Sequence, residues 1–274
     1  MRKKRPRSLV LFGNGINCEM ETAHAHRLAG FEVTLHHIND LMNNMEVIHD
    51  FVFITLPGGF LDGDDLGSAK AQAVKWRYQK RPGTEERFID ELMRFINEGK
   101  LILGICNGFQ LLVKTGLLPG IYGEYGRQAI TLTFNDSGRF EDRWVYLKVT
   151  EPSRCIFTKD IGSMYLPVRH GEGKLTTGGD DTLREIKMGG YMVMQYVDKE
   201  GRPTDRYPYN PNGSQDAIAG LTDPTGRILG LMPHPEAYVH FTHHPRWTRD
   251  GLPEEGDGLK IFCNAFEYVV DNLL

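Results

Sequence analysis

Residues 100–116, KLILGICNGFQLLVKTG, describe a short buried strand, a sharp turn and a helix. The apolar residues 101–103 end at Gly104, and the helix-like run that follows the turn stops at Gly116. Cys106 stands on the turn between two glycines, which is the thiol form of the G-x-S-x-G nucleophile elbow. Such an elbow raises the thiol above the edge of a sheet, where the positive end of a helix favours the thiolate.

The alternative for this stretch is a core cysteine that precedes an ordinary helix, because cysteine is often buried. The paired glycines after a strand favour the elbow. The backbone N–H of Asn107 has no partner within the helix and is free to face an oxyanion. The elbow therefore predicts a general base and a carboxylate elsewhere in the chain.

A late strand-like run, residues 227–232, leads into the motif Pro233-His234-Pro235-Glu236. In extended backbone, residues two positions apart point to one side, so His234 and Glu236 are expected to pair as a base and the carboxylate that orients it. The two prolines stiffen this presentation. A capped loop with two surface polar residues is the alternative. With Cys106, the pair predicts a thiol catalytic triad.

The apolar run 50–56 continues into Pro-Gly-Gly-Phe at 57–60. A glycine pair lets backbone approach a ligand closely, although it also suits a plain tight turn. Beside an elbow cysteine, Gly59 is the candidate for the second oxyanion-hole N–H donor.

Composition indicates an ordinary globular α/β protein, since 40% of the 274 residues are hydrophobic and 25% are charged. A β-α-β start over residues 9–35 predicts a parallel sheet, and alternating strands after Gly116 predict an antiparallel part of the same domain. We expect a basic N-terminal tail over residues 1–7 and one domain over residues 8–274.

Several function classes are disfavoured. The net charge of −4 gives no basic field for nucleic acid, and no apolar run is long enough for a membrane span. Four widely spaced cysteines without a CxxC motif argue against disulfides or a zinc site and fit a reducing cytoplasm. The acids near residue 64 are interpreted as a solvated turn, and the histidines at 240, 243 and 244 as interface or surface groups, with metal binding as the alternative for both.

The motifs G-I-C-N-G-F-Q and P-H-P-E resemble those of class I (triad) glutamine amidotransferases. L-P-G-G-F, R-H-G-E-G, N-P-N-G-S-Q-D-A-I-A-G-L and G-L-M-P-H-P-E-A are similar to the glutaminase subunits of phosphoribosylformylglycinamidine synthases, the PurQ type. These motifs are distributed along most of the chain. The resemblance implies a flavodoxin-like α/β fold with a mixed, mostly parallel central sheet flanked by helices and a smaller antiparallel sheet.

The resemblance also implies a reaction. Cys106 would attack the side-chain amide of glutamine, His234 would move the protons, and Glu236 would hold the imidazole. The backbone N–H groups of Gly59 and Asn107 would receive the oxyanion, so that glutamine yields glutamate and ammonia through a thioester.

Three further residues are assigned to substrate binding. Gln110 matches the family motif and would shape the glutamine pocket. His170 and Glu172 would contact the substrate or the synthetase, although a hydrogen-bonded turn explains them as well.

The family resemblance places the remaining machinery on a partner. This chain is expected to carry no cofactor, while ATP and Mg²⁺ would bind a large synthetase subunit that amidates formylglycinamide ribonucleotide in cytoplasmic purine biosynthesis. The segments at residues 71–84 and 238–257 look longer than in compact members of the family. They leave open whether the assembly contains a small bridging subunit. The alternatives are a glutaminase for another synthetase, an elbow-cysteine peptidase or deglycase, and a non-catalytic regulatory subunit.

Overall fold

The computed structural model describes residues 5–81 and 83–274. The strands are β1 (Arg7–Phe12), β2 (Glu32–His37), β3 (Phe53–Leu56), β4 (Leu101–Ile105), β5 (Ile130–Phe134), β6 (Glu141–Val149), β7 (Ser163–His170), β8 (Glu172–Thr177), β9 (Met192–Val197), β10 (Ile218–Thr222) and β11 (Ile228–Leu231). The α-helices are α1 (Glu19–Ala29), α2 (Ile38–Asn43), α3 (Lys70–Tyr78), α4 (Phe88–Asn97), α5 (Asn107–Thr115), α6 (Asp180–Met188) and α7 (Leu259–Asn272).

A mixed sheet forms the centre of the described chain, with nine strands in the order β2-β1-β3-β4-β11-β10-β9-β6-β7. Strands β2, β1, β3, β4 and β11 are parallel to one another. Strands β10, β9, β6 and β7 continue the sheet with antiparallel pairing. A separate antiparallel pair joins β5 to β8. The predicted α/β fold, with a mixed central sheet and a smaller antiparallel sheet, is confirmed.

Local caps and turns determine where the helices and strands begin and end. The helix-like pattern over residues 19–29 predicts the bounds that helix α1 has, and the left-handed Gly30 ends it by donating to Arg27 O. An amphipathic pattern over residues 85–97 predicts a helix, but α4 begins three residues later, because the Asp90 carboxylate caps the Arg87 backbone N–H at 3.1 Å. The predicted strand over 50–56 is shorter, because residues 45–50 form a 3-10 helix.

Both segments that look long in sequence pack into the fold. Within residues 71–84, the fully buried Trp76 of α3 meets Phe88 of α4 at a ring distance of 4.7 Å. Within residues 238–257, His244 is 5% exposed and packs edge-on against Trp144 at 5.5 Å, so its expected surface position was wrong. Pro82 lies outside the described residues.

The N-terminal tail is only partly described. Residues 1–4 lie outside the described part of the chain, and β1 begins at Arg7, the last residue assigned to the tail. None of the helices in the described ranges has the length and apolar character that crossing a bilayer requires.

A buried histidine links the sheet to α1. His26 lies between the hydroxyls of Ser8 and Thr55, at 2.9 and 2.8 Å, and stacks on Phe53. Burial, and to a smaller extent Arg27, lowers the pKa of His26 to about 3. The folded protein therefore holds this ring neutral while the unfolded chain binds a proton below about pH 6.5.

We expect His26 to weaken the protein in acid. Between pH 6.5 and about 3 the unfolded state binds more protons, so the unfolding free energy should fall by roughly 1.4 kcal/mol per pH unit from this residue alone. Urea unfolding across this range should show a shallower fall for His26→Gln. The exposed His24 on the same helix supplies the control, His24→Gln. Equal pH slopes for wild type and His26→Gln would contradict the assignment.

Candidate active site

Cys106 lies on a strained turn between β4 and α5. Its φ of 51° and ψ of −103° are unusual for a residue with a side chain. Its amide donates to Leu231 O at 2.8 Å, and its carbonyl accepts from Gln110 N at 3.0 Å. The thiol is 5% exposed and lies 3.6 Å from Arg169 O. The turn thus holds the sulfur at the start of α5, in the strand–turn–helix arrangement that the sequence predicts.

The two elbow glycines have no room for a side chain. A Cβ on Gly104 would lie 2.7 Å from Gly108 O, and a Cβ on Gly108 would lie 2.0 Å from Leu56 O on β3. Both contacts are with backbone, which cannot rotate away as a side chain can. The close approach of α5 to β4 and β3 therefore depends on these glycines.

Gly108→Ala is expected to destabilise the protein by at least about 1–3 kcal/mol, the usual cost of overpacking. The clash with Leu56 O must also outweigh the gain of up to about 1 kcal/mol that alanine has over glycine within a helix. Urea unfolding measures the change. The control is Gly162→Ala, because a Cβ on the exposed Gly162 meets no atom within 4 Å. Equal unfolding free energies for the two variants would contradict the argument.

His234 and Glu236 form a buried pair. Each residue is 2% exposed, and His234 Nδ1 lies 2.6 Å from Glu236 Oε1. The expectation of extended backbone across the pair was wrong, because residues Pro235–Ala237 form a 3-10 turn. Proline favours the first position of a helix, and this turn brings the carboxylate to the ring. The His234 amide donates to Pro167 O at 2.8 Å, which fixes the pair against β7.

The charges around His234 favour the imidazolium. Burial opposes it, but the Glu236 carboxylate and contacts with the side chains of Cys106 and Cys18 raise the pKa of His234 well above its ordinary value. Within the described residues, His234 Nε2 is buried and has no hydrogen-bond partner. This nitrogen is therefore free to exchange a proton with a reacting group.

The loop after β3 lies against the elbow. Asn107 Oδ1 accepts from Leu61 N at 3.2 Å, and a Cβ on Gly58 would lie 2.6 Å from His234 Cε1. Gly59 has a φ of 149°, and a Cβ there would lie 2.6 Å from Gly15 O. The structure thus brings the loop that carries Gly59 to both Asn107 and the histidine.

The three predicted substrate residues have partners in the protein. The Gln110 side-chain amide donates to Glu172 O, and Glu172 Oε2 accepts from Ser68 N at 3.2 Å. His170 Nδ1 lies 3.0 Å from Asn135 Oδ1. Gln110 and Glu172 are therefore brought together.

The His170 side chain is buried and pairs with Asn135. Burial and the nearby His234 lower the pKa of His170 to about 3, so its imidazole is neutral. Its Nε2 is buried without a hydrogen-bond partner among the described residues.

Cys18 was missed as a site residue. Its sequence context, at the end of a glycine-containing loop, indicates only a packing residue, yet its Sγ lies 4.0 Å from His234 Nδ1. The available signal was its place after β1, since the carboxyl ends of parallel strands meet at one edge of a sheet.

Sequence and structure comparisons find known proteins that are similar to this chain. The family model of the CobB/CobQ-like glutamine amidotransferase domain matches residues 5–269. Phosphoribosylformylglycinamidine synthase subunit PurQ of Dehalococcoides mccartyi is 46% identical over 262 residues, covering 96% of this chain and 97% of the relative. The same subunit of Methanococcus maripaludis is 43% identical, covering 98% and 99%. The structure of PurLQS from Thermotoga maritima matches with a TM-score of 0.70 and 30% identity over 97% of this chain and 100% of that chain.

Proposed function

The chain belongs to the CobB/CobQ-like glutamine amidotransferase family, and we propose that it is the glutaminase subunit of a phosphoribosylformylglycinamidine synthase. The PurQ relatives match along nearly their whole length. The observation that carries the chemistry is a thiol at a helix N-terminus that interacts with the histidine of a buried His234–Glu236 pair.

The first half of the reaction forms a thioester. His234 Nε2 takes the Cys106 proton, and the thiolate attacks the side-chain amide carbon of glutamine. The N–H groups of Gly59 and Asn107 receive the oxyanion. The imidazolium then gives its proton to the leaving nitrogen, so ammonia departs and the glutamyl group remains on sulfur.

The second half releases glutamate. His234, neutral again, removes a proton from water, which attacks the thioester carbon. The Cys106 thiolate leaves and recovers the proton from the imidazolium. Glu236 keeps the proton on Nδ1 through both halves, so that Nε2 always faces the reacting atoms.

Glutamine recognition is assigned to three residues. Gln110 and Glu172, already joined by a hydrogen bond, shape one wall of the pocket. The neutral His170 offers an unpaired Nε2 as an acceptor for substrate or partner.

The ammonia acceptor site is assigned to a partner. We place ATP, Mg²⁺ and formylglycinamide ribonucleotide on a large synthetase subunit in the cytoplasm, and no cofactor on this chain. The matched Thermotoga maritima structure is that of PurLQS, which supports a synthetase subunit and is compatible with a small bridging subunit.

A diazoketone analogue of glutamine tests the assignment. We expect one covalent adduct, mapped to Cys106 by mass spectrometry, and protection of that thiol by glutamine. Cys263→Ala, which removes a half-buried cysteine on α7, should label normally. No adduct would indicate an idle regulatory subunit, and turnover of peptides or glycated amines with no glutamine hydrolysis would indicate a peptidase or deglycase.

A further inference from the structure

A second buried thiol stands beside the proposed general base. Cys18 ends the loop between β1 and α1, is 7% exposed, and places Sγ 4.0 Å from His234 Nδ1. The glutaminase mechanism uses Cys106 and gives Cys18 no step. Cys18 approaches His234 from the side of Glu236, because both contact the same ring nitrogen.

Cys18, His234 and Glu236 present three different metal ligands at one place. One ligand atom from each, a sulfur, a nitrogen and an oxygen, all lie within 4.8 Å of one another. In a tetrahedral zinc site, bond lengths of about 2.0–2.3 Å put neighbouring ligand atoms roughly 3.5 Å apart, so only small side-chain shifts are needed. Glu236 Oε2 is buried and lacks a hydrogen-bond partner among the described residues, which leaves an acceptor for a cation.

A cavity leads to this cluster. It has a volume of about 210 Å³ and is lined by Cys18 and His234, with the carboxylate-bearing Glu21 and the cationic Arg169 also in its wall. Thiolate and imidazole ligands select a borderline-soft ion such as Zn²⁺ over Mg²⁺ or Ca²⁺, which prefer oxygen.

We propose that Cys18, His234 and Glu236 form an inhibitory site for Zn²⁺. The ion binds Cys18 Sγ, His234 Nδ1 and the Glu236 carboxylate; the thiol proton passes to solvent, and the proton on Nδ1 moves to Nε2 of the same ring. An imidazole with a metal on Nδ1 carries its one proton on Nε2. That nitrogen then has no lone pair for the Cys106 proton, so metal binding switches the base off. The inhibition of glutamine hydrolysis rests on the proposed function, whereas the binding of Zn²⁺ does not.

Cobalt replaces zinc as a visible probe of the full-length chain. In the Cys106→Ala background, which removes the other thiol near His234, Co²⁺ should produce a thiolate-to-metal charge-transfer band. The band should disappear in Cys106→Ala/Cys18→Ala and in Cys106→Ala/His234→Asn. It should persist in Cys106→Ala/Cys263→Ala. A band that survives the loss of Cys18, or that is absent from Cys106→Ala, overturns the site and leaves the glutaminase assignment untouched.

Inhibition is measured in the complex with the synthetase, with each variant normalised to its own metal-free rate of glutamate release. The zinc concentration for half inhibition should rise by roughly tenfold or more in Cys18→Ala. Loss of a residue that only hydrogen-bonds a metal ligand already lowers metal affinity by about that factor, and Cys18 is itself a ligand. A chelator should restore the wild-type rate. Equal zinc sensitivity of wild type and Cys18→Ala overturns the inhibitory role. Absence of glutamine hydrolysis together with the cobalt band would refute the proposed function but not the metal site.

Discussion

Cys106→Ala is expected to lower the rate of glutamine hydrolysis by at least about 10⁴-fold, the scale on which removal of a covalent nucleophile acts. The thioester needs the sulfur on the elbow, and no other group in the mechanism can replace it. Release of glutamate under saturating glutamine, with the synthetase present, measures the loss.

The variant should remain folded, because alanine keeps the Cβ and the site already tolerates a side chain at a φ of 51°. Cys155→Ala, a change at another buried free cysteine, is the control and should keep its glutaminase rate. If Cys106→Ala hydrolysed glutamine at a rate within tenfold of wild type, the Cys106 thiol would not be the nucleophile.

Glu236→Gln is expected to reduce hydrolysis by about 10³-fold or more, by analogy with the loss when the triad carboxylate of a serine protease becomes an amide. The carboxylate accepts a hydrogen bond from Nδ1 at 2.6 Å. A glutamine amide can instead donate to Nδ1, which moves the ring proton to Nε2 and removes the lone pair. The expected order of rates is therefore wild type, then Glu236→Ala, then Glu236→Gln.

Glu91→Gln provides a matched control for that experiment. Glu91 is another buried glutamate paired with a histidine, since its Oε2 lies 2.9 Å from His49 Nε2. The control should lose stability and keep its glutaminase rate. If Glu236→Gln were as active as Glu91→Gln, Glu236 would not set the histidine tautomer.

The elbow could be predicted because its signal is local. A buried strand, two glycines at fixed spacing and a helix occupy neighbouring positions, and the clash at Gly108 shows why no other residue fits there. The signal for the His234–Glu236 pair is also local, although the backbone conformation differs from the predicted one. The two prolines predict extended backbone, whereas a 3-10 turn brings the two side chains together.

Contacts between distant parts of the chain could not be predicted in this way. Cys18 and His234 are 216 positions apart, and only the parallel order of β1, β3, β4 and β11 brings their loops to one edge. Helix α6 is short, and its apolar face consists of the buried Ile186 and the partly buried Leu183, so its periodic pattern covers only one turn. Strand β10 is a short buried run interrupted by Gly220, and such runs do not distinguish strand from helix.

The most direct test compares glutamate release by wild type and Cys106→Ala, each with and without the synthetase, ATP and formylglycinamide ribonucleotide. We expect weak hydrolysis by the wild-type chain alone, a large gain when all three are present, and no release by Cys106→Ala in either condition. The gain should be matched by formation of the amidated ribonucleotide. Equal turnover with and without the synthetase would contradict the assignment of this chain as its glutaminase subunit.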